Sequence, residues 1–377
     1  MSKLAMRRAW FQVHKWLGLL LAILIIPISL TGAALVWDEG LNRMINPQRF
    51  AVSGDTTLGP QAYIAGAAGA LKDGERVSML TMPEDDGPVV VAASPAQAAS
   101  RPGPPVRTMV YLDPPTARVL DTASSASGLL RVLHVLHGSL LIPGIGRTIV
   151  GWIGVAMMLS AFTGLWLWWP TVGRWARGLR WTRHRNTDTN LHYLLGFWVA
   201  LPLFVLSLTG AWISFPQFFA RVSGGATQQR GPDRAALMRA KPLASPVQPV
   251  GTVLARAGTL ARGGELRSIA WPTDLKPEWT VTYAGGDAPP RPITVTDASG
   301  RAAVAPPRQQ GNPTAQLMRQ IHDGHGMGIV WQIVIFLGGI LPAILAVTGV
   351  IMWWRARGWK ADLAARQRTR RQTAAAE

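Results

Sequence analysis

The chain of 377 residues contains no cysteine. That absence excludes disulfides, covalent c-type haem attachment through CxxCH, thiolate-held iron–sulfur clusters and a cysteine nucleophile. Any metal must therefore be held by His, Met or carboxylate. Acidic side chains are also scarce, with 20 Asp and Glu against 38 Lys and Arg, for a formal net charge of +18. Histidine numbers only seven. No Walker loop occurs, and no Ser, His and Asp arrangement can be placed as a triad. Gly144, Gly146 and Gly151 in PGIGRTIVG imitate a dinucleotide loop, but no strand precedes them and the residues that follow are apolar.

What the chain has in abundance is apolar sequence without charge. Trp16 to Trp37, Thr148 to Trp169, Leu191 to Phe215 and Ile329 to Trp354 each run for about 20 residues or more, the length a helix needs to cross a hydrocarbon core of about 30 Å. Backbone polar groups in hydrocarbon must pair within their own segment, so these runs are expected as four transmembrane helices. Pro27, Pro202 and Pro342 inside them predict kinks rather than breaks. MSKLAMRR resembles the start of a signal peptide, but the apolar stretch behind it is too long and lacks a small-x-small cleavage site, so an anchor is expected.

The position of the positive charge decides what it means. Lys3, Arg7, Arg8 and Lys15 precede the first run; Arg174, Arg177, Arg180, Arg183 and Arg185 follow the second; Arg355, Arg357, Lys360, Arg366, Arg368, Arg370 and Arg371 follow the fourth. All fall on one side of a four-span topology. By the positive-inside rule both termini and the middle loop are expected in the cytoplasm, with roughly 38–128 and 216–315 exported. The charge is thus a topology signal that faces anionic membrane lipid, and no nucleic-acid partner is expected.

The sequence also repeats itself. HKWLGLLLAILIIPISLTGA (14–33) aligns without a gap on HYLLGFWVALPLFVLSLTGA (192–211), so that His14 to Thr31 and His192 to Thr209 are both 17 residues. LHGSLLIPGIGRTIVGWIGVAMMLSAFTGLWLWW (136–169) aligns on IHDGHGMGIVWQIVIFLGGILPAILAVTGVIMWW (321–354), with 26 residues from His137 to Thr163 and from His322 to Thr348. Both copies begin on the same side, which predicts parallel repeats about an axis along the membrane normal. His14 then faces His192, and His137 faces His322.

Within each exported segment the hydrophobic period changes. VSMLTM, PVVVAAS and the hairpin RTMVYLDPPTARVL (107–120) follow a helix-like stretch at 61–72 in the first copy. SIAWPT, WTVTY and the hairpin RPITVTDASGRAAV (291–304) follow 250–262 in the second. A small α+β module per copy is expected, with loops at 95–105 and 224–232.

Two facing histidines in an apolar bundle suit bis-imidazole ligation of haem iron, because neutral imidazole binds iron well and the bundle solvates the porphyrin. The candidate ligands are His14, His192, His137 and His322, for two b-type haems. Gly18 and Gly196, four residues after a histidine, leave room for a flat macrocycle on the same face. Glycines around His137 and His322 end short interfacial helices, near 127–141 and 313–323, before the spans begin. His134 falls opposite Arg319 and His325 opposite Leu140, so these two are unduplicated, secondary candidates whose part as ligand, support or structure stays open. A pH-sensing cluster explains the clustering but not the pairing. A non-haem metal at His322, Asp323 and His325 lacks its carboxylate in the first copy.

LHGSL with a following Gly-Arg, the LTGA and TGLWLWWP ends, IHDG with TGVIMWW, and the VYLDPPTARVL hairpin resemble the PepSY-associated transmembrane family of bacterial inner-membrane proteins. Some members are di-haem reductases of ferric siderophores. The resemblance implies an integral membrane, mainly α protein of four transmembrane helices in two parallel repeats, each carrying an inserted PepSY-like periplasmic module. It divides the chain at 1–37, 38–128, 129–170, 171–190, 191–215, 216–312, 313–354 and 355–377. It also implies reduction of a ferric siderophore in the periplasm, with electrons from an external donor, either quinol or a cytoplasmic flavoprotein. The basic tail is too short for a flavin or nicotinamide site. Arg230, Arg234, Arg239 and Lys241 could attract an anionic chelate or line a solvated loop. The alternative is a non-enzymatic, membrane-anchored PepSY module that binds or regulates a periplasmic partner. Thr-Ala in the first hairpin turn departs from the family's Thr-Gly.

Overall fold

A computed structural model describes residues 2–83, 85–95, 106–169, 175, 179–181, 184–223, 234–285, 288–306 and 312–376. The expected loop at 95–105 lies outside them except for Pro95, which ends a strand, and the loop at 224–232 and most of the basic loop at 171–190 that precedes His184 also lie outside. In chain order the elements are α1 Lys3–Leu35, α2 Asp38–Ile45, the 3-10 turn Pro47–Phe50, α3 Pro60–Ala68, β1 Glu75–Thr81, β2 Val89–Pro95, β3 Thr108–Leu112, β4 Val119–Ser124, α4 Leu129–Ser139 and α5 Gly146–Trp168. Then come α6 Thr187–Ser214, α7 Pro216–Val222, α8 Arg234–Arg239, α9 Val250–Gly258, β5 Glu265–Ala270, β6 Glu278–Gly285, β7 Ala288–Thr296, β8 Ala302–Val304, α10 Pro313–Asp323 and α11 Gly328–Ala376. They form two compact units, one of long helices and one built on a sheet.

In the helical unit, α1, α5, α6 and α11 are each long and apolar enough to cross a membrane. α1 packs on α5 and α11, and α6 packs on the same two, which closes a four-helix ring. Pro27, Pro202 and Pro342 lie inside unbroken helices. Two helices are longer than their apolar runs. α1 begins at Lys3, where the Ser2 side chain accepts from the Ala5 N–H at 3.3 Å, and α11 continues to Ala376. Hydropathy marks what prefers hydrocarbon, whereas the Ala, Arg, Lys, Gln and Met of these flanks are strong helix formers in any medium.

The second unit holds a single antiparallel sheet in the order β4-β3-β2-β1-β5-β6-β7-β8. Its halves come from the two segments expected as separate modules. They join where β1 pairs with β5, Met79 opposite Ala270, Leu80 opposite Ile269 and Thr81 opposite Ser268. Each strand would otherwise be an exposed edge with unpaired N–H and C=O groups, and each satisfies the other. Alternation puts Leu80, Val91, Val110, Ile269, Val281 and Ile293 on one face, where Tyr63 and Ala67 of α3 and Val253 and Ala257 of α9 bury them.

Two fully or nearly buried aspartates anchor the sheet's loops. Asp113 accepts from the Ser53 N–H and Oγ, both at 2.7 Å, and from Thr116 Oγ1 at 2.6 Å. Asp297 accepts from Trp279 Nε1 at 2.9 Å and from the N–H groups of Val247 and Gln248 at 2.9 and 3.2 Å. Burial pushes both carboxyls up, but these hydrogen bonds to the ionised form outweigh it and hold each below the ordinary carboxylate range.

The hairpin turn after Asp113 places Ala117 at φ +54°, in the left-handed region. A Cβ there is strained by on the order of 1 kcal/mol. Ala117→Gly should therefore raise the melting temperature of this unit slightly, and a thermal scan showing a lower one would refute the strain.

Candidate metal centres

Four Thr-Gly steps, Thr31-Gly32, Thr163-Gly164, Thr209-Gly210 and Thr348-Gly349, recur once in each spanning helix, and all four threonines are buried. Each threonine hydroxyl donates back to the carbonyl four residues earlier: Pro27 at 2.6 Å, Leu159, Val205 and Ile344 at 2.9 Å each. This is what a hydroxyl does in a helix that offers it no water. Its one hydrogen is thereby committed, and its oxygen keeps a lone pair for a neighbour.

That neighbour is a histidine at three of the four steps. His14 Nδ1 lies 3.1 Å from Thr163 Oγ1 and 3.2 Å from the Ser160 carbonyl. His192 Nδ1 lies 2.9 Å from Thr348 Oγ1, and His322 Nδ1 lies 3.0 Å from Thr209 Oγ1. At the fourth step His137 Nδ1 meets the Ile28 carbonyl, one turn before Gly32, at 2.9 Å. A carbonyl can only accept, and a threonine whose hydrogen is spent can only accept. Hydrogen on Nδ1 satisfies all four contacts at once and leaves Nε2 with a bare lone pair.

The glycine of each step makes room for the ring. A Cβ on Gly32 would lie 2.7 Å from His137 Cε1; on Gly164, 3.0 Å from His14 Cε1; on Gly210, 3.1 Å from His322 Cε1; on Gly349, 3.4 Å from His192 Cε1. At Gly18 a Cβ would meet nothing within 4 Å, and at Gly196 only Leu345 Cδ2 at 3.9 Å, so open space lies one turn from His14 and from His192.

The rings come together as two pairs. His14 and His192 have centroids 6.4 Å apart, and His137 and His322 6.0 Å apart. A metal–imidazole bond is about 2.0–2.1 Å and a ring nitrogen is about 1.1 Å from its centroid, so two imidazoles opposed on one metal stand about 6.3 Å apart. Along α1 the first pair sits at residue 14 and the second against residues 28–32, which at about 1.5 Å per residue is roughly 25 Å. One pair lies toward each end of the spanning helices.

His134 and His325 are exposed and stand outside both pairs. Asp323 pairs with Arg319 at 3.7 Å, and among the described residues no group of three or more His, Asp or Glu converges on a point. The set His322, Asp323 and His325 is thus not gathered. Of the basic residues considered for an anionic chelate, Arg230 lies outside the described residues and Arg239 is exposed.

The family model for the PepSY-associated TM region matches residues 11–356, which includes both histidine pairs and all four Thr-Gly steps. The chain belongs to that family. It is a multi-pass membrane protein with four spanning helices. No curated protein matches this PepSY-associated TM protein at significant similarity. In this member of the PepSY-associated family, the Thr-Gly steps served in the sequence only as landmarks for aligning the copies. Their contact with the histidines was the missed feature. The signal was present: the same dipeptide at one fixed register in four apolar runs is more than helix packing needs.

Proposed function

We propose that the protein binds two b-type haems, one between His14 and His192 and one between His137 and His322, and passes electrons across the bacterial inner membrane to a ferric siderophore. The observation that carries the first part is the set of four rings held by Nδ1 with Nε2 bare, in two pairs at the spacing of opposed ligands on one metal. A bound haem supplies one-electron chemistry between ferric and ferrous iron. The chain's own part is to fix ring orientation, to exclude water with an apolar bundle, and to leave space at Gly18 and Gly196.

The rest of the proposal rests on charge and chemistry. The basic flanks argue for cytoplasmic termini and for a sheet unit on the exported side, built from two PepSY-like repeats. Reducing Fe(III) to Fe(II) lowers its charge and hardness, so oxygen chelators release it, and the acceptor reaction needs no acid or base from the protein. The electrons come from an external quinol or flavoprotein.

A visible spectrum of protein purified from haem-replete cells tests this reading. A b-type band that sharpens and shifts on dithionite reduction is the expected result, and a colourless protein would leave only a membrane-anchored binding module. The glycine gaps add a graded prediction. Gly32→Ala, with the closest approach, should lose most of the haem of the His137 and His322 pair, whereas Gly349→Ala should lose little of the other. Haem-to-protein ratios in the reverse order would contradict the packing argument.

A further inference from the structure

Between the two histidine pairs the spanning helices hold no side chain that can take up a proton. Residues 17–28 of α1, 149–159 of α5, 194–206 of α6 and 333–347 of α11 contain no Asp, Glu, Lys, Arg, His, Tyr, Ser, Thr, Asn or Gln. The only side-chain nitrogen atoms in these stretches are the indoles of Trp152 and Trp198, each 63% exposed on the outside of the bundle. Buried hydroxyls stand at the two ends instead: Thr163 and Thr348 beside His14 and His192, and Ser29, Thr31, Ser207 and Thr209 at the level of His137 and His322.

The belt between those levels is also closely packed. Ile25, Ile28, Ile153 and Met157 are buried together, with Leu21, Leu24, Leu203 and Ala346 against them. Helix backbones approach through glycine: a Cβ on Gly339 would lie 2.7 Å from the Ser29 carbonyl oxygen, and one on Gly338 would lie 2.6 Å from Leu206 Cδ1. A proton crosses a membrane protein along acidic or imidazole side chains, hydroxyls or water, and a buried water needs about two to four polar partners. Side chains here supply none of these. An electron needs no such chain of polar atoms.

We propose that this apolar belt makes transfer between the two centres electrogenic: electrons pass it without an accompanying proton, so that a membrane potential negative inside drives them outward. This rests on the haem reading and the topology above. The pairs stand roughly 25 Å apart along α1, at about 1.5 Å per residue, which is about four-fifths of a hydrocarbon core of about 30 Å. Moving one electron over that fraction changes the redox ratio of the two centres about 20-fold for each 100 mV, taking about 2.3 kcal/mol per charge for the whole membrane. A proton carried along with the electron would cancel that dependence, because no net charge would then cross.

The test uses haem-loaded protein reconstituted into liposomes in one orientation, with the basic tail inside, as checked by protease access. A membrane-impermeant redox buffer outside poises the exported centre, and a potassium gradient with valinomycin sets the potential. With the inside negative, half of the haem absorbance should shift toward the oxidised form, its ratio changing about 20-fold per 100 mV, while the other half stays where the buffer holds it. That responsive half should be missing from His14→Ala and from His192→Ala, which identifies it as the cytoplasmic centre. The vesicles should also leak protons no faster than protein-free ones. A redox ratio that ignores the potential, a response that survives in both histidine variants, or a proton leak through the protein would overturn the inference. Absence of haem from the unsubstituted protein would instead refute the haem reading itself, and the proton leak would still test the belt.

Discussion

His322→Ala is expected to lose one of two haem equivalents, as is His137→Ala, with the remaining haem unchanged in spectrum. The two rings stand 6.0 Å apart and each is hydrogen-bonded to a helix other than its own, His322 to Thr209 of α6 and His137 to Ile28 of α1. Alanine removes the lone pair and nothing nearby can replace it. The adjacent histidines are no substitute, because His134 and His325 are exposed and outside the pair. Their alanine variants should retain both equivalents. Because the second pair lies roughly 25 Å away along α1, a distance set by about 1.5 Å of rise per residue, its occupancy should not respond. His14→Ala and His192→Ala should give the mirror result. Absorbance of the haem per polypeptide distinguishes these outcomes, and equal loss from His134→Ala would mean that the pairing is wrong.

The second large effect is in the sheet. Asp297→Ala should destabilise that unit by on the order of 3–5 kcal/mol, since it orphans three donors at once and each buried donor left unpaired costs about 1–3 kcal/mol. One of these is Nε1 of Trp279, which is 1% exposed and also packs on Trp271 with ring centroids 5.1 Å apart. The other two, the N–H groups of Val247 and Gln248, hold the loop that enters α9. Asp297→Asn keeps an acceptor oxygen and should cost much less. Unfolding followed by tryptophan fluorescence measures both, and a wild-type melting curve for Asp297→Ala would show that the loop is held by packing alone.

The same carboxylates predict a direction with pH. Asp113 and Asp297 ionise more readily in the folded protein than a free aspartate, whose pKa is about 3.9, because hydrogen bonds overcome the burial that opposes it. Their contribution is therefore complete above that value and is lost as pH falls through the lower, folded one. The sheet unit should hold constant stability at neutral pH and weaken below about pH 4. Asp297→Asn should flatten part of that decline.

Much of the architecture was legible because hydrocarbon and β-pleat impose simple periods. The four spans, their helical form and most strands follow from uncharged runs and from alternation, and the candidate ligands follow from counting residues between His14 and Thr31 and between His192 and Thr209. Helix ends were less legible: Lys3 and Ala376 lie far outside the apolar runs, because propensity extends a helix where hydropathy has stopped marking it. The sequence by itself therefore determined a membrane bundle with histidines at equivalent places. Only the tertiary structure decided that β1 and β5 pair across some 190 residues of chain into one sheet, because which exposed edges meet depends on three-dimensional approach and leaves no period to read. It likewise decided which atom accepts from each imidazole. That His14, His192 and His322 reach a threonine oxygen and His137 the Ile28 carbonyl of a neighbouring helix depends on how closely two helices approach, which no spacing within one helix encodes.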